Sequence, residues 1–377
     1  MMDFQSRQQE AEQSTARLVA LLVLGVVAIT AVVTALLTGV LYYGTREIQP
    51  LTALAIAGPL TVLGIVGAAL VKSAQISRGG GAYVAESLGG RRVDAGTADP
   101  GEQRLRHVVE EIALASGMPM PAVFVLDDEP SINAFAAGAT PETAAIGVTR
   151  GALTHLDRRE LQGVIGHEMS HVRNADTRIT TRVIGWVFGI AAIAVLGRIL
   201  LLGSWFTPRR RGRDGDAGVL LVVAGLGLVV VGAVGVLFAR LVQAAVSRQR
   251  EYLADASAVQ YTRDPSALGD ALIKIGALGA ENRIRTVHAT ETSHLFFSTA
   301  VSTAFATHPP LEERIRRLRP DWDGTFPTLE VRVEAEKASA GGGRERPRPP
   351  AGQPFGPYLS PPPPGPGGRP DRRRDGT

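Results

Sequence analysis

The chain has 377 residues, 40 basic and 36 acidic, and its formal charge of +4 arises in residues 341–377, where seven Arg face three acidic residues. Because residues 1–340 carry no net charge, the composition argues against a nucleic-acid binder, which needs a basic face on a folded domain. The absence of cysteine excludes disulfides, thiolate metal sites and cysteine nucleophiles, so any metal must be held by His, Asp or Glu.

Two long uncharged segments come first in the chain. Arg17 and Arg46 enclose 28 uncharged residues, and Glu47 and Lys72 enclose 24 more. Both segments exceed the roughly 20 residues with which a helix crosses a bilayer core. The leader before them lacks the positive charge of a signal peptide, so we expect a retained anchor. Buried helices of a soluble core are the alternative, and these lengths disfavour it.

The pattern of residues 73–178 predicts part of a water-soluble domain. Apolar residues at helical spacing predict a helix over 102–115, and a second helix is predicted over 158–174. Between them, 121–126 and 144–149 have the composition of short strands, joined by a Gly-containing loop.

A second pair of apolar segments follows. Residues 217–239 form an uncharged run of 23, whereas 183–206 is interrupted by Arg198, which could snorkel from near the end of a span. Core helices remain the alternative for this pair because of Arg198. Further helices are predicted over 242–261, 264–280 and 312–318.

From residue 341 onward, eleven Pro and nine Gly in 37 residues predict a disordered tail with polyproline character. The predicted organisation is then a leader (1–17), a transmembrane helix pair (18–71), a first part of the soluble domain (72–182), a second transmembrane pair (183–239), a second part of the soluble domain (240–330) and the tail (331–377).

One segment carries the pattern H-E-x-x-H on a predicted helix. Side chains four residues apart lie on one helical face, so His167 and His171 can reach one metal ion. Glu168 is one step away and can contact a metal-bound water without ligating the metal. The alternative is a solvated or capping pair of histidines.

Residues 247–255 offer a third ligand. Two His and one carboxylate are a known ligand set of catalytic zinc, with water in the open position. Glu251 could ligate the metal while Asp255, four residues later, accepts the free ring N–H of a ligand His. Taken alone, this segment also fits a surface network of arginines and carboxylates.

Chain distances connect the two segments. His171 lies 12 residues before the third apolar segment, and Glu251 lies 12 residues after the fourth. If the 12 residues between each ligand and its apolar segment are helical, each ligand lies about 18 Å along the chain from the membrane. A helical hairpin through the bilayer would bring both to the same side at the same height, which supports four spans.

These motifs resemble those of the membrane zinc metallopeptidases grouped around the heat-shock protease HtpX and the CAAX prenyl protease. The resemblance covers roughly residues 1–325 and includes Asp176 and the segments 133–138 and 307–315. It implies one Zn²⁺ per chain with Glu251 as third ligand, His308 and Arg314 near the metal, and Asn133 beside the substrate strand. The implied fold is an integral membrane α-helical protein with four transmembrane helices and a mostly helical α+β, zincin-like metalloprotease domain carrying a small edge-strand sheet.

Without the resemblance, the sequence gives only weak support for a role of His308 or Asn133. His308 precedes two prolines, which fix a rigid extended segment, so its imidazole could act in catalysis by stabilising an oxyanion. Equally, Pro310 could simply begin a helix with His308 outside the site. Asn133 alone is most often a turn residue.

The sequence therefore predicts a membrane-bound zinc endopeptidase that hydrolyses peptide bonds through a metal-activated water, with Glu168 as general base. The predicted partners are polypeptide substrates, chiefly membrane proteins, together with the lipid bilayer and a protein that the Pro-rich tail could recruit. By resemblance, the role is membrane-protein quality control. The alternative is a membrane-anchored scaffold whose zinc is structural and closed by four ligands.

The charges beside the apolar segments bear on orientation. Ten Lys and Arg lie on the side of the predicted site and five on the other, so the positive-inside rule predicts a multi-pass protein of the cell (inner) membrane with a cytosolic site. Four of those five lie in the short loop 209–213, which opposes the rule locally. The second hairpin could instead be embedded without crossing.

Overall fold

The computed structural model describes residues 4–45, 47–76, 80–138, 140–206, 215–278 and 308–327. The tail predicted over 331–377 and the charged loop 209–213 lie outside the described residues. The elements are the helices α1 (Phe4–Thr45), α2 (Pro50–Ile76), α3 (Gly81–Ser87), α4 (Pro100–Ser116), α5 (Arg150–His155), α6 (Arg158–Arg173), α7 (Asp176–Phe206), α8 (Gly215–Thr262), α9 (Pro265–Leu278) and α10 (Leu311–Leu318), and the strands β1 (Arg91–Arg92), β2 (Ala122–Leu126), β3 (Ala134–Ala137) and β4 (Ala145–Thr149).

Four helices are long and apolar enough to cross a membrane, as predicted. They are Gln8–Gly44 in α1, Pro50–Ile76 in α2, Asp176–Ser204 in α7 and Gly218–Thr262 in α8. The helix predicted over 242–261 is confirmed, but it is the last part of α8, which continues without a break from the membrane segment. No Gly or Pro follows Gly235 within α8, so nothing in the sequence ends the helix where its apolar run stops.

Small residues let the long helices approach one another closely. A Cβ at Gly185 of α7 would lie 2.8 Å from the carbonyl oxygen of Ala69, and one at Gly189 would lie 2.5 Å from that of Ile65. Between α7 and α8, a Cβ at Gly197 would meet the carbonyl oxygen of Gly225 at 2.6 Å. Such contacts fix the register of α7 against both neighbours.

The small sheet has the strand order β1-β2-β4-β3. Strands β2 and β4 pair in parallel, and β3 pairs antiparallel to β4 with Ala134 opposite Val148. The Gly-containing loop predicted between β2 and β4 is therefore partly wrong, since it includes β3. The four residues of β3 are all buried and lack the alternation of apolar and polar residues by which a half-buried strand is recognised.

Helices α4, α6 and α9 pack with the sheet around one apolar core, which includes Leu105, Val109, Ile146, Leu161 and Leu272. Helix α4 ends at Gly117, whose φ of 68° is left-handed and favours glycine. Helix α6 begins with a capping box, in which the Asp157 and Glu160 side chains each accept a hydrogen bond from the other residue's backbone N–H. This start fixes the rotation of α6 about its axis and hence the direction of its histidines.

Candidate metal centre

Helix α6 lies close against α8 and α9 because two of its residues are glycine. A Cβ at Gly163 would lie 2.5 Å from the backbone nitrogen of Leu268, and one at Gly166 would lie 3.3 Å from the Cα of Ala258. This approach brings the face of α6 that carries His167 and His171 toward α8 and toward Glu251 on that helix.

Three side chains converge between the two helices. The Nε2 atoms of His167 and His171 are 3.1 Å apart, and each lies 3.6 Å from a carboxylate oxygen of Glu251. Four ligands arranged tetrahedrally at 2.0–2.2 Å from zinc are separated by about 3.3–3.6 Å, so this spacing fits a metal ion. In addition, Oε2 of Glu251 is buried and forms no hydrogen bond within the described structure. These three residues are the group that could hold a metal.

Each histidine of the group has a carboxylate on its other ring nitrogen. Nδ1 of His167 lies 2.9 Å from Oδ1 of Asp255, and Nδ1 of His171 lies 2.6 Å from Oδ2 of Asp176. A carboxylate there accepts a hydrogen bond from Nδ1–H, and the Nε2 lone pair is then directed at the centre of the group. Both imidazoles are therefore oriented as ligands.

Each carboxylate is in turn held by a buried arginine. Arg314 of α10 donates to both oxygens of Asp255, at 2.7 and 3.0 Å. Arg250 of α8 donates to Asp176 and, at 2.9 Å, to the carbonyl oxygen of Asn174. The second arrangement ties the start of α7 to the helix that carries Glu251.

The sequence alone did not reveal the roles of Asp176 and Arg250. Asp176 reaches His171 because the chain turns sharply between α6 and α7 at Ala175, whose φ is 54°. A left-handed alanine is not predictable from residue spacing. The available signal was proximity, since Asp176 follows His171 by five residues and Arg250 precedes Glu251 directly.

The structure brings two of the remaining predicted residues to the group. Nδ1 of His308 lies 3.1 Å from Oε1 of Glu251, and Nη1 of Arg314 lies 3.2 Å from its Oε2. Asn133 is not brought there. It is buried at the start of β3, where its side-chain oxygen accepts the backbone N–H of Ala134 at 2.9 Å.

Burial tunes the ionisable groups of α6. It raises the pKa of the Glu168 carboxyl to about 7, although the backbone N–H of Ala136 donates to the carboxylate and opposes this. Burial also lowers the pKa of His167 to about 4, which keeps the imidazole neutral and able to donate its lone pair. The group thus combines a neutral His167 with a carboxyl that can exchange a proton near neutral pH.

A cavity of about 620 Å³ adjoins the group. It reaches from His167, Glu168 and His171 past residues 136–138 of the β3 edge to the ends of α2 and α7. Among the described strands, β3 is paired only with β4, and residues 136–138 at its end line the cavity.

Comparison with known proteins identifies the family. A model described as Peptidase family M48 matches residues 100–321, more than half of the chain. A protease HtpX homolog of Caldanaerobacter subterraneus subsp. tengcongensis is 44% identical over 234 residues, covering 60% of this chain and 75% of that relative. A second, from Streptococcus thermophilus, is 41% identical over 238 residues, covering 61% and 76%.

Among solved structures, the crystal structure of S. mikatae Ste24p superposes with a TM-score of 0.38 and 16% identity, covering 77% of this chain and 62% of that one. That superposition is too weak to bear on the assignment. The family match, the identity to HtpX homologs and the four long apolar helices agree, and they favour a hydrolase over a scaffold. The chain belongs to peptidase family M48 and is a membrane-bound metalloprotease.

Proposed function

We propose that the metal is zinc, one ion per chain, held by His167, His171 and Glu251 with a fourth position open to water. The observation that carries this proposal is the convergence of the three ligand atoms beside Glu168. The absence of cysteine is consistent with it, since this ligand set needs none. When bound there, zinc supplies Lewis-acid activation of water and of the scissile carbonyl.

The roles of the side chains follow from their positions. Glu168 accepts a proton from the attacking water and delivers it to the leaving amine, and a pKa near 7 suits both steps. His308, beside Glu251, donates to the developing oxyanion. Asp255 and Arg314 hold the ligands in place rather than contacting the substrate.

The substrate binds in extended form along the free edge of β3. This edge adjoins the cavity at residues 136–138, and main-chain pairing tolerates varied sequence. Asn133 supports this strand by holding the N–H of Ala134 and stands at its start. Residues 72–182 and 240–330 form the two parts of the metalloprotease domain, and each leads directly into membrane helices.

A site about 18 Å along the chain from the membrane suits polypeptides that are embedded in the bilayer or exposed at its surface. We therefore propose that the enzyme acts in membrane-protein quality control. Its location is the cell (inner) membrane, and the excess of Lys and Arg on the side of the site supports a cytosolic orientation. A cysteine introduced beside Arg210 tests the orientation, because this loop should lie on the side opposite the site. Labelling of that cysteine from the cytosolic side would contradict the cytosolic placement of the site.

The decisive experiment is Glu168→Gln in the full-length protein. Loss of the general base should lower peptide cleavage by about 10²–10⁴-fold while the zinc content stays near one ion per chain. Glu110→Gln, which changes an exposed carboxylate on α4, is the matched control and should leave both quantities unchanged. Full cleavage by the Glu168→Gln form would sink the assignment, and a closed four-ligand zinc site would favour the structural alternative.

A further inference from the structure

Two arginines of α7 line the cavity that contains the metal group. Arg178 and Arg182 are one helical turn apart, both are exposed, and both belong to the cavity wall. Neither forms an ion pair with any of the residues that the structure describes. Arg250, which lines the same cavity, differs because it is buried and bound to Asp176. Two guanidinium groups thus line the cavity without an ion-pair partner in the part of the chain that the structure describes.

The other charges that face the cavity are largely compensated. Asp176 is paired with Arg250 and Glu251 with Arg314, whereas Glu168 accepts a hydrogen bond from a neutral backbone N–H and keeps its charge when ionised. Among the described residues of the wall, the charges without an ion-pair partner are therefore the two arginines of α7 against Glu168, a net positive charge. A cavity wall with an excess of one sign of charge concentrates ligands of the opposite sign, so an anionic group is the expected occupant.

The rest of the wall is mostly apolar and continuous with the metal group. It includes Leu70 and Ile76 near the end of α2, Val183 and Ile184 of α7, and Val246 of α8. A peptide bound there would place uncharged side chains against these residues and a carboxylate near the arginines. The charge and the continuity with the catalytic residues together indicate a substrate side chain as the anionic occupant.

Arginines at the ends of membrane helices also orient those helices, so position alone does not identify a binding role. Arg17 on α1 and Arg240 on α8 provide the comparison. Both are exposed beside the apolar segments, and neither lines the cavity. A role in orientation would make all four arginines equivalent, whereas a role in recognition would distinguish Arg178 and Arg182.

We propose that the cavity selects polypeptides with an acidic side chain within a few residues of the cleaved bond, and that Arg178 and Arg182 bind this carboxylate. Arginine suits the task because its planar guanidinium donates two parallel hydrogen bonds to a carboxylate. The inference rests on the proposed peptidase function, and it adds a substrate class and two specificity-determining residues to it.

The test uses the full-length enzyme in uncharged detergent, which removes anionic lipid as a competitor. An uncharged, largely apolar parent peptide is made with a single Glu at each successive position, and each peptide is matched by one with Gln there. The measured quantity is the ratio of kcat/KM for the Glu and Gln members of a pair. We expect a ratio of about ten at one position or at two neighbouring positions, as for a charge-assisted hydrogen bond.

The variants assign the ratio to residues. It should fall to about one in Arg178→Gln/Arg182→Gln and stay near ten in the charge-matched control Arg17→Gln/Arg240→Gln. A ratio near one at every position in the wild type overturns the proposal, as does a ratio that survives in the first variant or is lost equally in the control.

A second measurement separates this inference from the peptidase assignment. Fluorescence anisotropy of the same labelled peptides bound to the Glu168→Gln form gives the Glu-to-Gln affinity ratio without turnover. If no peptide is cleaved by the wild type, the peptidase proposal fails, and the affinity ratio alone decides the role of the arginines. Cleavage of the parent peptide with both ratios near one overturns only the acidic selectivity.

Discussion

Two clusters of arginines and carboxylates differ sharply in burial. The site cluster surrounds the metal group, and each of its side chains is less than a tenth exposed: Arg250, Arg314, Asp176, Glu251 and Asp255. The outer cluster joins β1, α4, α5 and the end of β2, and all of its side chains but that of Glu102 are about a third to a half exposed: Arg91, Arg150, Asp99, Asp127 and Glu102.

The difference in burial indicates that the site cluster serves function and that the outer cluster serves stability. Taking charges out of water costs several kcal/mol per ion, and a buried pair does little more than recover that cost. The site cluster is therefore better explained by the proposed metal site, in which a carboxylate on Nδ1 orients each histidine as a ligand. The outer cluster remains hydrated, and such pairs each contribute about 1 kcal/mol or less. Similar residues thus serve ligand positioning in one place and the linking of elements in the other.

The largest expected effect is that of Arg314→Met. Removing this guanidinium leaves the buried carboxylate of Asp255 without the group that donates to both of its oxygens, and it removes one positive charge beside Glu251. The same two carboxylates raise the pKa of Arg314, against the opposing effect of burial. Breaking a buried pair costs about 3–5 kcal/mol, so the thermal midpoint should fall by on the order of 10 °C.

The control is Arg317→Met on the same helix. Arg317 is 46% exposed and pairs with Glu313, so its loss should move the midpoint by only a few degrees at most. Equal shifts for the two variants, measured by differential scanning fluorimetry in detergent, would remove the distinction between the buried site cluster and exposed ion pairs.

Arg250→Gln should have a smaller effect on stability and a specific one on the metal. Asp176 keeps its contact with His171 but loses the charge that ties it to α8. Loss of a residue that orients a ligand in this way lowers metal affinity by about 10–100-fold. Competition with a chelator measures the affinity, and Arg240→Gln on the same helix is the control. Unchanged zinc affinity would show that Arg250 serves the α7–α8 junction alone.

The same contrast explains what the sequence predicts and what it does not. His167 and His171 follow from helical periodicity, and Glu251 and Asp255 from the same four-residue spacing on α8, because local geometry alone sets these relations. The contact between Asp176 and His171 depends on the left-handed Ala175, and β3 depends on pairing with β4. Both are consequences of tertiary context, which no spacing of residue types encodes.

The smallest effect is expected from Glu102→Gln in the outer cluster. The hydrogen bond from Arg91 holds the pKa of Glu102 below its usual value, although burial opposes this. The ionised carboxylate therefore stabilises the fold above the pKa of the unfolded chain, about 4.3, and this contribution is lost as the pH falls through the lower folded pKa. Since Arg91 and Arg150 are 49% and 31% exposed, solvent screening limits the contribution to about 1 kcal/mol at neutral pH.

The difference in thermal midpoint between wild type and Glu102→Gln should thus be a few degrees at neutral pH and should shrink below about pH 4. The site carboxylates titrate in both proteins and cancel in this difference. Zinc affinity and cleavage at neutral pH should stay unchanged, because Glu102 contacts none of the ligands. A midpoint difference that is constant with pH would mean that Glu102 acts through packing, and a change in zinc affinity would mean that the two clusters are coupled.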